Sequence, residues 1–216
     1  MVGWAVLVGV DYYPDGKAQL RGCVQDVEDL YELLCDTYCF HSSRIFKLIS
    51  VRPAATLALG TNPSATPTYH NIIRTIQDIE DNAQAGDHIY IHFSCRTGRA
   101  PSIIPSDRRC YDTKELVLLP ADHEATKKFL HELELAVLLR SLTSKGLEVT
   151  LIIDGRFSLD SETPVERRPS VIRRFSYWSH RNRGPFLVGQ SGCSGAVHRC
   201  YIRWLTGPVH PERILG

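Results

Sequence analysis

Apolar residues in this chain fall into short continuous runs separated by longer segments of mixed character. The first run, Trp4–Val10, is apolar throughout and stops at the turn-forming residues 11–16, as a strand buried on both faces does. Comparable runs predict further strands over Ile45–Ile49, His88–Ser94, Glu148–Asp154 and Pro185–Gly189.

Between these runs the apolar residues recur every three or four positions, the period of a helix with one buried face. Residues 24–34 follow this period, with acidic residues between the apolar ones. A second helix is predicted to begin at Pro67, with Thr66 as its N-cap. Apolar residues between Ile72 and Ala83 give it one buried face, and Gly86 ends it. Further helices are predicted over Leu130–Leu142 and Ala196–Leu205.

Strands that alternate with helices at this spacing predict a mostly parallel sheet with helices on both faces, a three-layer α/β/α sandwich. Residues 51–65, 96–112 and 160–184 are predicted to be irregular. The 216 residues suit one such domain with a substantial core.

Composition excludes some functions. The 25 Lys and Arg residues balance the 24 Asp and Glu residues, so no overall basic field favours nucleic acid. The first apolar run is too short to cross a membrane or to act as a signal peptide. Seven cysteines without a secreted-scaffold spacing favour reduced thiols. We therefore expect a cytoplasmic protein with neither nucleic acid nor membrane as a partner.

Five segments resemble, in the same order, those of caspase-like peptidases, the C14 family of caspases, metacaspases and bacterial orthocaspases. These segments are residues 20–27, 85–98, 111–122, 151–158 and 190–193. The resemblance extends from about Trp4 to Cys193. It implies the caspase-like α/β fold, with the active site at the carboxyl ends of the central strands.

The resemblance also implies two catalytic residues, and both are replaced here. Where the family has Ser-Gly-His this chain has Ser94-Cys95-Arg96, and where it has Asp-x-Cys this chain has Asp154-Gly155-Arg156. Arg96 and Arg156 thus stand in the positions of the general base and the nucleophile. Arginine stays protonated and offers only hydrogen-bond donors, so it can perform neither role. An alternative is that the two arginines grip an oxyanion or a phosphate.

Two acidic positions match the family pocket that holds a substrate Arg or Lys. They are Asp26, in the first predicted helix, and Asp154, two residues before the nucleophile position. Paired carboxylates suit the planar donor fork of a guanidinium. Arg156 is a rival occupant, since it lies two residues from Asp154 and could neutralise the acidic pair internally.

The family's calcium site is expected to be lost. Asp112 and Glu132 match acidic ligands, but Leu133 and Thr163 stand where further carboxylates are expected, and a hard cation needs six or more oxygens. Two half-sites for zinc, Cys35-x3-Cys39-x-His41 and Cys193-x4-His198-x-Cys200, are too loosely spaced to outweigh ordinary packing. We expect no cofactor.

A relocated thiol is the alternative to inactivity. His92 and Cys95 lie on the same predicted strand, but residues three apart on a strand point to opposite faces. Cys193 is another thiol near a strand end, with no deprotonating partner identifiable from the sequence.

The resemblance divides residues 1–216 into a part like the family's large subunit (1–159), a linker (160–184) and a shortened part like its small subunit (185–216). The arginine-rich linker has three interpretations: a solvated loop, a site cleaved by an active Arg-specific relative, and a kinase site at Ser170. A shortened second part leaves room for a partner to cover the sheet.

Two functions remain open at this point. The first is a non-catalytic caspase-like domain that binds an active relative, a basic peptide or a second copy of itself. The second is a cysteine endopeptidase that cleaves after Arg or Lys through a relocated thiol. Fold resemblance alone does not decide between them.

Overall fold

The computed structural model describes residues 1–14, 19–52, 63–101, 103, 114–157, 187–190 and 200–203. The strands are β1 (Gly3–Val10), β2 (Ile45–Ser50), β3 (His88–Pro101), β4 (Lys114–Leu118), β5 (Leu130–His131), β6 (Glu148–Phe157), β7 (Leu187–Gln190) and β8 (Cys200–Arg203). The helices are α1 (Cys23–Asp36), α2 (Tyr69–Asn82), α3 (His123–Thr126) and α4 (Glu132–Ser144), with 3-10 turns at Ser42–Arg44 and Pro63–Ala65.

Strands β2, β1, β3 and β6 lie side by side and run parallel, as the sequence predicts. Strand β3 is longer than its parallel neighbours, and its last part pairs antiparallel with β4, which in turn pairs with β5. Thr97 is in register with both Leu118 of β4 and Phe157 of β6. Strands β4 and β6 therefore lie on opposite edges of β3, and β4 follows β1 along the same edge.

Helices cover both faces of this sheet. Apolar side chains of α2 and α4 pack on one face against alternate residues of β1, β3 and β6. On the other face, Ala5 and Leu7 of β1 contact Val27 and Leu34 of α1. The expected three-layer sandwich is thus confirmed. Within the described residues, none of the helices combines the length and the apolar character that a membrane-spanning segment requires.

The predicted end of β3 at Ser94 is wrong, because the strand continues to Pro101. Residues 96–101, expected to be irregular, hydrogen-bond to β4 over Thr97–Pro101. The last predicted helix, 196–205, is also wrong where the structure describes it, since Cys200–Arg203 is a strand paired antiparallel with Leu187–Gln190.

Helix α2 starts two residues later than the sequence suggests. The hydroxyl of Thr68, rather than that of Thr66, accepts a hydrogen bond from the backbone N–H of Asn71 at 3.1 Å. The carbonyl of Thr66 instead accepts a bond from the side-chain amide of Asn71 at 2.9 Å. A carboxylate oxygen of Asp122 accepts a hydrogen bond of 2.9 Å from the backbone N–H of Tyr69. This bond fixes the first turn of α2 from outside the helix. The predicted loop 160–184 lies outside the described residues.

Candidate functional site

The carboxyl ends of β1 and β6 meet the middle of β3 beside the first turn of α1. Gly22, which precedes α1, has φ of +103° and no side chain to cap the helix. Asp11, directly after β1, does so instead by accepting the backbone N–H of Cys23 at 2.9 Å. A Cβ on Gly9 would lie 2.7 Å from the carbonyl oxygen of Cys23, so only glycine lets the helix come this close to β1.

Two predicted pocket residues come together at this point. The hydroxyl of Ser94 donates a hydrogen bond of 2.9 Å to a carboxylate oxygen of Asp26. Ser94 is in register with Asp154 on the adjacent strand β6, and residues in register on neighbouring strands point to the same face. Asp26, Ser94 and Asp154 therefore form an acidic layer on the α1 face of the sheet.

The two arginines occupy the next positions along the same strands. Arg96 and Arg156 are in register with each other, two residues beyond Ser94 and Asp154. Side chains two apart on a strand share a face, so Arg96 follows Ser94 on the α1 face and lies next to the acidic layer.

Tyr13 fixes the position of Arg96. The guanidinium carbon of Arg96 lies 5.1 Å from the centroid of the Tyr13 ring, within the range of a cation–π contact. The backbone N–H of Arg96 donates to the phenolic oxygen at 2.9 Å, and the phenol donates to the carbonyl of Leu119 at 3.2 Å. Burial raises the pKa of the Tyr13 phenol well above its usual range, which keeps this donor protonated.

The thiols of this region are buried, and their pKa values are raised. Cys95 contributes to the core beneath α2 and α4, whereas His92, in register with Leu7, faces α1. The two side chains therefore lie on opposite faces of the sheet. Burial, and then the nearby Cys23, raise the pKa of the Cys95 thiol far above its usual range. Burial likewise raises the pKa of Cys23 to about 12.

His92 is 4% exposed, and its Nδ1 atom has no hydrogen-bond partner. Burial lowers its pKa to about 4. The imidazole is consequently neutral at physiological pH.

Glu132, which the resemblance matches to a calcium ligand, begins α4 directly after β5. Asp112 and Cys193 lie outside the described residues. No group of three His, Cys, Asp or Glu side chains able to hold a metal occurs in the part of the chain that the structure describes. Cys35 and Cys39 are free thiols in that part.

Sequence reasoning missed Asp11, Tyr13 and Ser94 as parts of the site. Asp11 and Tyr13 looked like turn residues after β1, and Ser94 like the end of a strand. Gly22 has no side chain to accept hydrogen bonds from the first backbone N–H groups of α1. This was the signal that an acceptor from elsewhere in the chain must do so. Nothing in the sequence pairs Tyr13 with Arg96, which are 83 positions apart.

Comparisons with known proteins agree with the fold. Residues 4–161 match a family model described as "Metacaspase, peptidase C14 domain". Metacaspase-1B of Aspergillus oryzae is 29% identical over 151 residues, which are 70% of this chain and 33% of the relative. Metacaspase-4 of Arabidopsis thaliana is 37% identical over 99 residues, which are 45% of this chain and 21% of the relative. The chain thus spans a third or less of these relatives.

A solved structure has a related fold. The crystal structure of protein GSU0716 from Geobacter sulfurreducens superposes with a TM-score of 0.50 and 18% identity, over 73% of this chain and 50% of that chain. This similarity concerns the fold alone. Because the family model covers most of the chain, the chain belongs to the metacaspase family of the C14 peptidases.

Proposed function

We propose that this chain is a non-catalytic member of its family, a pseudopeptidase domain that binds a basic protein segment without cleaving it. The observation that carries the proposal is the register of Arg96 in β3 with Arg156 near the end of β6, the two positions where the family resemblance places its base and its nucleophile. Neither guanidinium can accept a proton or attack a carbonyl carbon.

The burial of the nearby thiols supports the same conclusion. A cysteine nucleophile must ionise and must reach its base. Cys95 is 2% exposed, has a strongly raised pKa and points away from the face that carries His92. Cys23 is also buried, with a pKa raised to about 12.

The acidic layer is the proposed binding pocket for an Arg or Lys side chain. Ser94 holds one carboxylate oxygen of Asp26, which leaves the second oxygen to accept from a guanidinium. Asp154 follows on the same face. Two carboxylates arranged in this way suit the five donors of arginine better than the single ammonium of lysine. The partner is therefore a basic peptide or a protein that exposes a basic loop, an active relative among them.

Hydrolysis tests the catalytic half of the proposal. Fluorogenic peptides with Arg or Lys at the cleavage position would be incubated, with and without calcium, with the natural chain and with the Arg96→His, Arg156→Cys double variant. We expect no turnover by the natural chain. The matched control is Arg140→His, which places the same residue on the exposed side of α4. Turnover by the natural chain that disappears in Cys95→Ala or Cys193→Ala would instead establish an endopeptidase with a relocated thiol.

Binding tests the other half. A fluorescent peptide with an internal arginine, acetylated and amidated at its ends, would be titrated with the natural chain and with Asp26→Asn. We expect Asp26→Asn to weaken binding by about tenfold, as expected for one charge-assisted contact. Asp36→Asn, on the exposed last turn of α1, controls for the change in net charge. Equal affinity of all three proteins would refute the pocket.

A further inference from the structure

We infer that the site selects basic peptides that end in a free carboxylate, so that its ligands are the products of cleavage after Arg or Lys rather than uncleaved chains. This inference rests on the proposed pocket and names its ligand class. The acidic layer would take the side chain of the last residue, and Arg96 would take its α-carboxylate.

The position of Arg96 beside the acidic layer supports the inference. Ser94 and Arg96 are consecutive positions of one face on β3, and Asp154 is in register with Ser94 on β6. The separation of Ser94 and Arg96 along the strand is about 7 Å, at roughly 3.3 Å per residue. An extended C-terminal arginine holds its guanidinium and its α-carboxylate a comparable distance apart. A single residue can therefore contact the acidic layer and Arg96 at once.

The seating of Arg96 also favours a carboxylate ligand. Its guanidinium carbon lies 5.1 Å from the Tyr13 ring centroid, and the ring is itself fixed by the bonds of its hydroxyl to Arg96 and Leu119. A guanidinium stacked on a buried ring is oriented before any ligand arrives, which reduces the entropy that binding costs. Its planar fork matches the two oxygens of a carboxylate. A substrate that continues past the basic residue has only a neutral amide at this point.

Arg96 and Asp154 each already interact within the chain. A ligand therefore exchanges these contacts for its own, and we expect affinities in the micromolar range rather than tighter ones. A free carboxylate can replace the internal contact that Arg96 loses when the ligand binds. A neutral amide cannot replace it, so the amide should bind more weakly.

Peptides that differ only at the last residue test the inference. Three peptides, each labelled at the N-terminus, would be titrated with the natural chain by fluorescence anisotropy. The first ends in arginine with a free carboxylate, the second ends in an arginine amide, and the third ends in alanine with a free carboxylate. We expect the first to bind at least about tenfold more tightly than either of the others.

The three other outcomes would each refute a different part of the proposal. If the amide binds as tightly as the free acid, the carboxylate contact is absent and the inference fails, while the pocket for the basic side chain stands. If neither arginine peptide binds, the pocket itself fails. If the alanine peptide binds as tightly as the arginine acid, the site recognises the carboxylate alone. The proposed contact of the acidic layer with the basic side chain is then refuted.

Substitution of Arg96 provides a second measurement. We expect Arg96→Gln to reduce the preference for the acid over the amide to about one. Arg140→Gln, an exposed position on α4, should retain the preference. If Arg96→Gln fails to fold, the comparison of acid and amide on the natural chain still decides the question, since it requires no variant.

Discussion

The guanidinium of Arg96 stacks on the ring of Tyr13 while the backbone N–H of the same arginine donates to the hydroxyl of that ring. One buried phenol thus fixes both the main chain and the side chain of Arg96. The hydroxyl itself donates a hydrogen bond to the carbonyl of Leu119, directly after β4.

The hydroxyl of Tyr13 should contribute measurably to stability. Tyr13→Phe removes a hydrogen-bond partner from the N–H of Arg96 and from the carbonyl of Leu119. We expect the free energy of unfolding in urea to fall by about 1–3 kcal/mol, the usual cost of leaving buried polar groups unpaired. Tyr38→Phe changes a side chain that is 63% exposed and should have little effect. Equal stability of the two variants would refute the role assigned to the Tyr13 hydroxyl.

Stability should fall as the solution is acidified because of His92. Its pKa is about 4 in the folded chain, because of burial, against about 6.5 when unfolded. The unfolded state therefore takes up the proton first, and stability declines from about pH 6.5 to about pH 4, by at most about 3 kcal/mol. His92→Gln should flatten this part of the pH profile measured by denaturant titration. His70→Gln, exposed on α2, should leave the profile unchanged, and identical profiles for all three proteins would contradict the prediction.

Gly155, between Asp154 and Arg156, has no room for a side chain. A Cβ there would lie 2.3 Å from the Cγ2 atom of Thr97, and a side chain in the middle of a paired strand cannot move aside without strain. We expect Gly155→Ala to lower the free energy of unfolding by about 1–3 kcal/mol. Adding Thr97→Ser, which deletes the clashing methyl group, should restore part of the loss. Gly98→Ala, with its nearest contact at 3.4 Å, is the control.

The four described thiols should react at very different rates. At pH 8 we expect an alkylating reagent, followed by mass spectrometry, to label the exposed Cys39 first and the half-buried Cys35 more slowly. Cys23 and Cys95 should stay unlabelled until the chain unfolds, because both are buried and burial raises their pKa values. Rapid labelling of Cys95 in the folded chain would contradict this arrangement and would reopen the question of a relocated nucleophile.

The elements with strong local periodicity were predictable from the sequence. Local apolar spacing is enough to identify β1, β2 and α1, because burial on one or two faces of an element sets the spacing of its apolar residues. The parallel order of the sheet followed from the alternation of these elements. Of the site, the two arginines and the two aspartates were predicted to lie near one another through the family resemblance.

The features that depend on distant partners were not predictable. Beyond Ser94 the composition of β3 resembles a loop, and only the pairing with β4 makes it a strand. Thr66 and Thr68 are equally good N-caps by residue type. The helix begins after Thr68, where the carboxylate of Asp122, 53 residues away, accepts the backbone N–H of Tyr69. The contact of Tyr13 with Arg96 also arises from the tertiary fold alone.

The end-to-end arrangement of β1 and β4 along one edge of β3 has a mechanical consequence. The two strands run toward each other and stop on either side of Arg96, where the hydroxyl of Tyr13 spans the break in the ladder. A single phenol therefore carries the ladder across this break, and the packing of Val117, Leu118 and Leu130 in the core holds the arm made of β4, β5 and the last part of β3 in place.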